Sequence, residues 1–229
     1  MESEAEISIT GSVTISRRPD IAYITLYVRT NGILLEDAIK EASAKIEQVN
    51  KTLHDTFSEI RETLIRDMYI GESKSHWTRE KAESPQPEVI KGLLVTIPPE
   101  PDLATKIVDR ASRMGCIIQN PAEDRILAYP RGVVMYGLAQ YIETEQEAIE
   151  KALMDAKENA ALAVKILNKK VGALKKITSV ETPRIQSKVD TYTLSEKNNT
   201  MVLPTSYLSV SPDHVEVSAR LAVVFEMTD

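Results

Sequence analysis

Few residues in this chain are of the types that carry covalent or metal chemistry. Histidine occurs only at positions 54, 76 and 214, and cysteine only at 116. A tetrahedral zinc site draws three or four ligands from His, Cys and carboxylates at short spacings, and no HxH or HExxH is present. Asp213 and His214 are adjacent, and a serine would complete a formal triad. Neighbours along a strand point to opposite faces, however, and no GxSxG elbow presents a nucleophile. The eight glycines form neither GxGxxG nor GxxxxGK[ST], so no known phosphate loop is written in the chain. Cys116 follows a helix stop and precedes Ile117-Ile118. That context predicts a buried, inert thiol. A peroxide sensor would instead need an exposed thiolate beside a cation, for which Arg113 is the nearest candidate. These residues predict no catalytic residue, no cofactor and no metal.

The bulk properties exclude further classes. The net charge is -6, the pI about 5.3, and no Lys/Arg run exceeds two residues. A phosphate backbone or an anionic membrane surface is repelled on average, which predicts no nucleic-acid partner. No apolar run approaches the length of a membrane span, so no membrane insertion is expected. With one cysteine, no intrachain disulfide forms. The first residues are acidic and lack the basic start and apolar run of a secretory signal. The expected location is cytoplasmic, or periplasmic if a signal has been removed. The chain has 229 residues, 42% hydrophobic and 5% aromatic, enough for a sizeable aliphatic core.

The elements that position these residues follow from periodicity. Ile7, Ile9, Val13 and Ile15 alternate with polar residues, and Gly11 shares their face, marking a bulge or a close backbone contact. Arg17-Arg18-Pro19-Asp20 is turn chemistry. Ala22, Ile24, Leu26 and Val28 form a second strand, expected to pair antiparallel with the first. Leu35, Ala38, Ile39, Ala42, Ile46, Val49 and Leu53 make a helical stripe, and Glu36/Lys40 and Glu41/Lys45 lie on its solvent side.

Residues 63–70 and 91–97 read as a hairpin with a long tip. Trp77 on that tip is a candidate partner anchor; the alternative is a local cover. Asp102 is the expected N-cap of a short helix bearing Leu103, Ile107, Ala111 and Met114, with Gly115 as its stop. Val133 to Ile142 is β-like. Thr144-Glu145-Gln146-Glu147 is a capping box, opening a helix whose stripe runs Ile149, Ala152, Leu153, Ala156, Ala160, Ala163, Val164 and Leu167. Those alanines predict close packing on a partner element. A strand follows over 174–180.

Residues 183–212 are polar and without helical period. They predict a disordered loop or an arm ordered against a neighbouring subunit. Val189 to Leu194 and Tyr207 to Val210 are its candidate short strands, and Tyr192 and Tyr207 its candidate partner contacts. The final strand alternates without a break from Val215 to Met227.

Three blocks resemble the SIMPL-domain family, a domain of unknown function that includes YggE-type bacterial periplasmic proteins. They are Gly11 to Asp20 with its Pro19-Asp20, Ala148 to Glu181 with its Asp155-Ala-Lys-Glu-Asn-Ala160 core, and Ser211 to Glu226. The resemblance implies an α+β fold: antiparallel sheet with two long helices and one short one packed on it. It implies a single domain over 1–229 with irregular excursions at 71–90 and 183–212, and a tendency to form homo-oligomers. It carries over no catalytic residue. The expected function is a non-enzymatic, oligomer-forming scaffold or interaction protein. The alternative is a monomeric protein- or peptide-binding module using the Trp77 tip or an exposed edge strand.

Overall fold

The computed structural model describes residues 5–72, 86–118, 133–181, 208–209 and 211–228. Within them the order is β1 (Glu6–Arg17), β2 (Ile21–Asn31), α1 (Leu35–Thr56), β3 (Glu62–Glu72), β4 (Pro87–Ile97), α2 (Pro101–Arg113), β5 (Val134–Gly137), α3 (Tyr141–Lys165), β6 (Lys170–Glu181), β7 (Leu208–Ser209) and β8 (Val215–Thr228). The strands form two antiparallel sheets, β1-β8-β6 and β3-β4-β2-β5-β7. This is the expected α+β arrangement, with α1 and α3 as the long helices and α2 as the short one.

The first two strands do not pair with each other, contrary to their proximity in sequence. β1 pairs with β8, and β2 lies between β4 and β5 in the other sheet. The reason lies in the connection. Pro19 lacks an N–H and disfavours the α region at Arg18, so the chain stays extended there instead of reversing. It passes from one sheet to the other. The hairpin of β3 and β4 is present as expected, with Glu72 opposite Pro87.

Each sheet has its own core. On the larger one, Ala22, Ile24, Leu26 and Val28 of β2 and Leu93, Val95 and Ile97 of β4 are buried against Ile46, Val49 and Leu53 of α1 and Leu103, Ile107 and Ala111 of α2. Removing these aliphatic side chains from water at ~25 cal/mol per Å² is the main force holding α1 and α2 down. Thr30 adds a buried hydrogen bond, its Oγ1 donating to the Ala38 carbonyl at 2.7 Å, which fixes the start of α1 on β2. On the smaller sheet, Val215, Val217, Ala219, Leu221, Val223 and Phe225 of β8 all face α3. α3 answers with Ala148, Ala152, Ala156, Ala160 and Val164. Ala148 joins the expected stripe, while Leu167, past the helix end, is 60% exposed.

The alanines allow a close approach that only glycine on β1 tolerates. A β-carbon at position 11 would stand 2.1 Å from the Ala152 carbonyl oxygen and 2.5 Å from the Ala156 nitrogen. Gly11 therefore marks a close contact, one of the two readings its sequence context allowed.

Three helix boundaries illustrate how packing and local chemistry compete. α2 begins at Pro101 with Glu100 as N-cap, not at Asp102 as expected; proline fits the first helical position and Asp102 falls in the first turn. α2 ends as expected at Gly115, whose φ of +82° accompanies a Schellman pair: Cys116 N–H to Ala111 O and Gly115 N–H to Ser112 O. α3 begins at Tyr141, ahead of the Thr144–Glu147 box. Tyr141 packs on the smaller core and draws the helix start back, and Glu147 instead meets Arg17 and Lys151. The apolar run 133–142 is accordingly not one strand. β5 covers four residues, with Tyr136 in the larger core and Leu138 already in the smaller.

Asp20 joins the layers. Its Oδ1 accepts from Ala139 N–H at 2.7 Å, its own N–H donates to Gly137 O at 3.1 Å, and its carbonyl accepts from Arg61 Nη1 at 3.1 Å. The turns β1–β2, β5–α3 and α1–β3 thus meet at one residue.

Two substitutions test this frame by urea denaturation followed by circular dichroism. Gly11→Ala is expected to cost about 3 kcal/mol through overpacking, while Thr10→Ala on the exposed face stays within about 0.5 kcal/mol. Asp20→Ala, which removes the acceptor of the exposed Ala139 N–H, is expected to cost about 0.5–1.5 kcal/mol, and Asp20→Asn, which keeps an acceptor, less.

Candidate functional site

The residue types that could do chemistry are dispersed. His54 lies in the last turn of α1, with Nε2 3.0 Å from Thr63 Oγ1. His214 is exposed before β8, beside an exposed Asp213. The neighbouring serines serve the turn: Ser209 Oγ accepts from Ser211 N–H at 3.0 Å and Ser211 Oγ from Asp213 N–H at 3.3 Å. His76, Trp77, Tyr192 and Tyr207 lie outside the described residues, as does the 189–194 strand. Among the described residues, no three His, Cys, Asp or Glu side chains converge as metal ligands.

Cys116 is 7% exposed within the larger core. Burial alone pushes its thiol up to about 11. Its backbone closes the α2 cap, and Ile117 next to it exchanges a bonded pair with Tyr27, at 3.1 and 2.7 Å. This is the environment of a structural thiol. Tyr27 and Ile117 form an isolated antiparallel bridge.

One nucleophile–base contact escaped the sequence. Lys91 Nζ on β4 donates to Ser43 Oγ on α1 at 2.7 Å, and Ser43 Oγ donates to the Ile39 carbonyl at 2.7 Å. The hydroxyl proton points at a carbonyl and the ammonium at the hydroxyl lone pair. The two contacts make the pair a strut between α1 and β4. Its members are far apart in sequence, and only the crossing of helix over strand brings them together.

Charges elsewhere form surface pairs. Glu36–Lys40 and Glu41–Lys45 close at 2.6 and 3.0 Å on α1, as their spacing predicts. Glu147 is held below the usual carboxylate range, first by its hydrogen bond from Lys151 and then by that from Arg17, which ties β1 to α3. Tyr23 is raised to about 12, by burial first and then by the charges of Asp20 and Glu62.

The feature left over is at the sheet edges. α1 covers β2 and β4 but leaves β3, and α3 covers β1 and β8 more than β6. Ile65 and Ile70 on β3 stand opposite buried Leu93 and Val89, hence on the helix-bearing face, yet are 40% and 44% exposed. Leu174 and Ile177 on β6 stand opposite buried Phe225 and Val223 and are 42% and 46% exposed. Among the described residues no strand pairs with the outer side of β3 or β6, and apolar side chains aligned along such an edge mark a place where another strand can add. β1 differs: Asp155 Oδ2 on α3 accepts from the outward Ser12 N–H at 2.9 Å and is itself held by Asn159 at 3.2 Å. The sequence contains the signal for the open edges. Leu174 and Ile177 are apolar with lysines between, but which face the helix leaves bare is not written there.

Two helix-covered antiparallel sheets joined at an aspartate define an α+β domain. The chain matches the SIMPL family, described as protein of unknown function (DUF541), over residues 7–225, and it belongs to that family. Gly11, Pro19-Asp20, the alanine stripe and β8 are the parts of the resemblance whose structural duties are described above. A comparison with curated proteins finds no match. No described helix is long and apolar enough to cross a membrane.

The Cys116 environment has a measurable consequence. With a thiol at about 11, roughly one in several thousand is ionised near neutral pH. Native protein is expected to take up iodoacetamide slowly, and denatured protein rapidly; fast native labelling would restore the sensor reading.

Proposed function

We propose that the protein is a non-enzymatic, oligomer-forming scaffold or interaction protein. The observation that carries this reading is the pair of open edges: half-exposed Ile65 and Ile70 on β3, and Leu174 and Ile177 on β6. Burying them against another chain recovers apolar contact that the monomer leaves in water. Among the described residues, those best suited to chemistry have structural duties or point to solvent, which supports a role in binding over catalysis. The same edges favour a second reading, a monomeric module that takes an extended peptide as an added strand, with Trp77 as an additional anchor.

Light scattering coupled to size-exclusion chromatography at tens of micromolar separates the two. The scaffold reading expects a mass that is a multiple of 25.5 kDa. A strict monomer overturns it and leaves the peptide module, for which Trp77→Ala is expected to weaken capture of a partner.

A further inference from the structure

We propose that Asn31 is a site of spontaneous backbone modification through a cyclic imide, and that the fold holds the reaction off by engaging the nitrogen that would attack. The site lies at the end of β2 and is independent of the scaffold reading.

Asn31-Gly32 is the only Asn-Gly pair in the chain. Glycine has no β-carbon to hinder closure of a ring between its nitrogen and the preceding side-chain amide. In that closure the Gly32 nitrogen attacks Asn31 Cγ. A bond forms between them, the Cγ–Nδ2 bond breaks, and ammonia leaves carrying the proton that Gly32 gives up. Water then opens the imide at either carbonyl, giving aspartate or isoaspartate.

Glycine suits position 32 because α1 starts so close to it. A β-carbon there would stand 3.0 Å from the Leu34 carbonyl oxygen and 3.3 Å from both the nitrogen and the β-carbon of Ala38. The Thr30 Oγ1 bond to the Ala38 carbonyl, at 2.7 Å, fixes this tight entry into the helix. The labile pair is therefore a consequence of the packing, and the same packing restrains it. Asn31 is the last residue of β2, opposite Glu88, and the Gly32 N–H donates to the Pro87 carbonyl at 3.2 Å. A nitrogen held by that bond is not turned toward Asn31 Cγ. Attack waits on opening of this end of the β2–β4 pair, as exchange of a protected amide does.

The products fit the site worse than asparagine does. Aspartate at 31 sets a carboxylate opposite Glu88, whose own carboxylate already meets Arg29 Nε at 3.0 Å. Like charges facing across a strand pair repel. Isoaspartate lengthens the backbone by a methylene just before Gly32 and carries its N–H off the Pro87 carbonyl. A converted chain keeps a looser entry into α1, so the modification records past opening of that end.

Peptide mapping of Asn31 by mass spectrometry, with isoaspartate counted by methylation with an isoaspartyl methyltransferase, tests this on the full chain at mildly alkaline pH. Asn31 is expected to convert in guanidinium chloride, and at least about tenfold more slowly in native buffer at the same pH and temperature. Thr30→Val removes the bond that fixes the start of α1. It is expected to raise the native rate several-fold and to leave the rate in guanidinium unchanged, with circular dichroism verifying that it folds. Gly32→Ala is expected to slow conversion in guanidinium, because the added β-carbon hinders the ring. The inference is overturned if native and denatured chains convert at the same rate, if neither forms isoaspartate, or if folded Thr30→Val converts no faster than the unmodified chain. Should Thr30→Val fail to fold, hydrogen exchange of the Gly32 amide in the unmodified chain decides: protection supports the inference, and exchange as fast as in the unfolded chain overturns it.

Discussion

The two layers of this protein are held in one arrangement by the hydrogen bonds of Asp20. Each sheet buries its own aliphatic core, and hydrophobic burial alone is indifferent to angle and register. Directional bonds from the Asp20 carboxylate, N–H and carbonyl bind the turn into β2 to the turn into α3 and to Arg61. β5 can end after four residues and hand its chain to the second core because Ala139 is anchored there. The Arg17–Glu147 pair reinforces the same junction from the surface.

The smaller layer depends on a different constraint, the absence of side-chain volume. α3 lies so close to β1 that its backbone meets position 11, and the alanines at 148, 152, 156 and 160 leave no bulk to hold it off. Dense packing replaces large side chains as the source of cohesion, because dispersion contacts grow as surfaces approach. The arrangement also brings Asp155 to the β1 edge, where it satisfies the Ser12 N–H and closes that edge to an incoming strand.

The helices leave one margin of each sheet bare: α1 leaves β3, and α3 covers β1 and β8 more than β6. That geometry converts ordinary alternating strands into open edges with half-exposed isoleucine and leucine. Nothing about Ile65 or Leu174 in isolation differs from a core residue. Their environment is set by where α1 and α3 cross, and a partner strand would complete what the helices leave bare. Among the described residues, several chemistry-capable ones have been absorbed into structure: Cys116 into a cap and a core, Ser43 and Lys91 into a strut, His54 into a contact with Thr63.

Much of the fold was legible in the sequence because its signals are local. The α1 stripe, the β8 alternation, the β3–β4 hairpin and the Gly115 stop depend on residues within a few positions of one another, and each appears in the structure. Gly11 and the alanine stripe were each readable as a need for closeness, though not as two halves of one contact. Pairing between β1 and β8 was not legible, since it joins the two ends of the chain and is chosen by competition among all available strands. The early start of α3 and the split of residues 133–142 were likewise decided by which core Tyr141 and Leu138 could reach. By itself the sequence determined the element types, through periodicity and residue identity. Only the tertiary structure decided that Asp20 is the joint and that β3 and β6 carry open apolar edges, because burial is a property of neighbours distant in the chain.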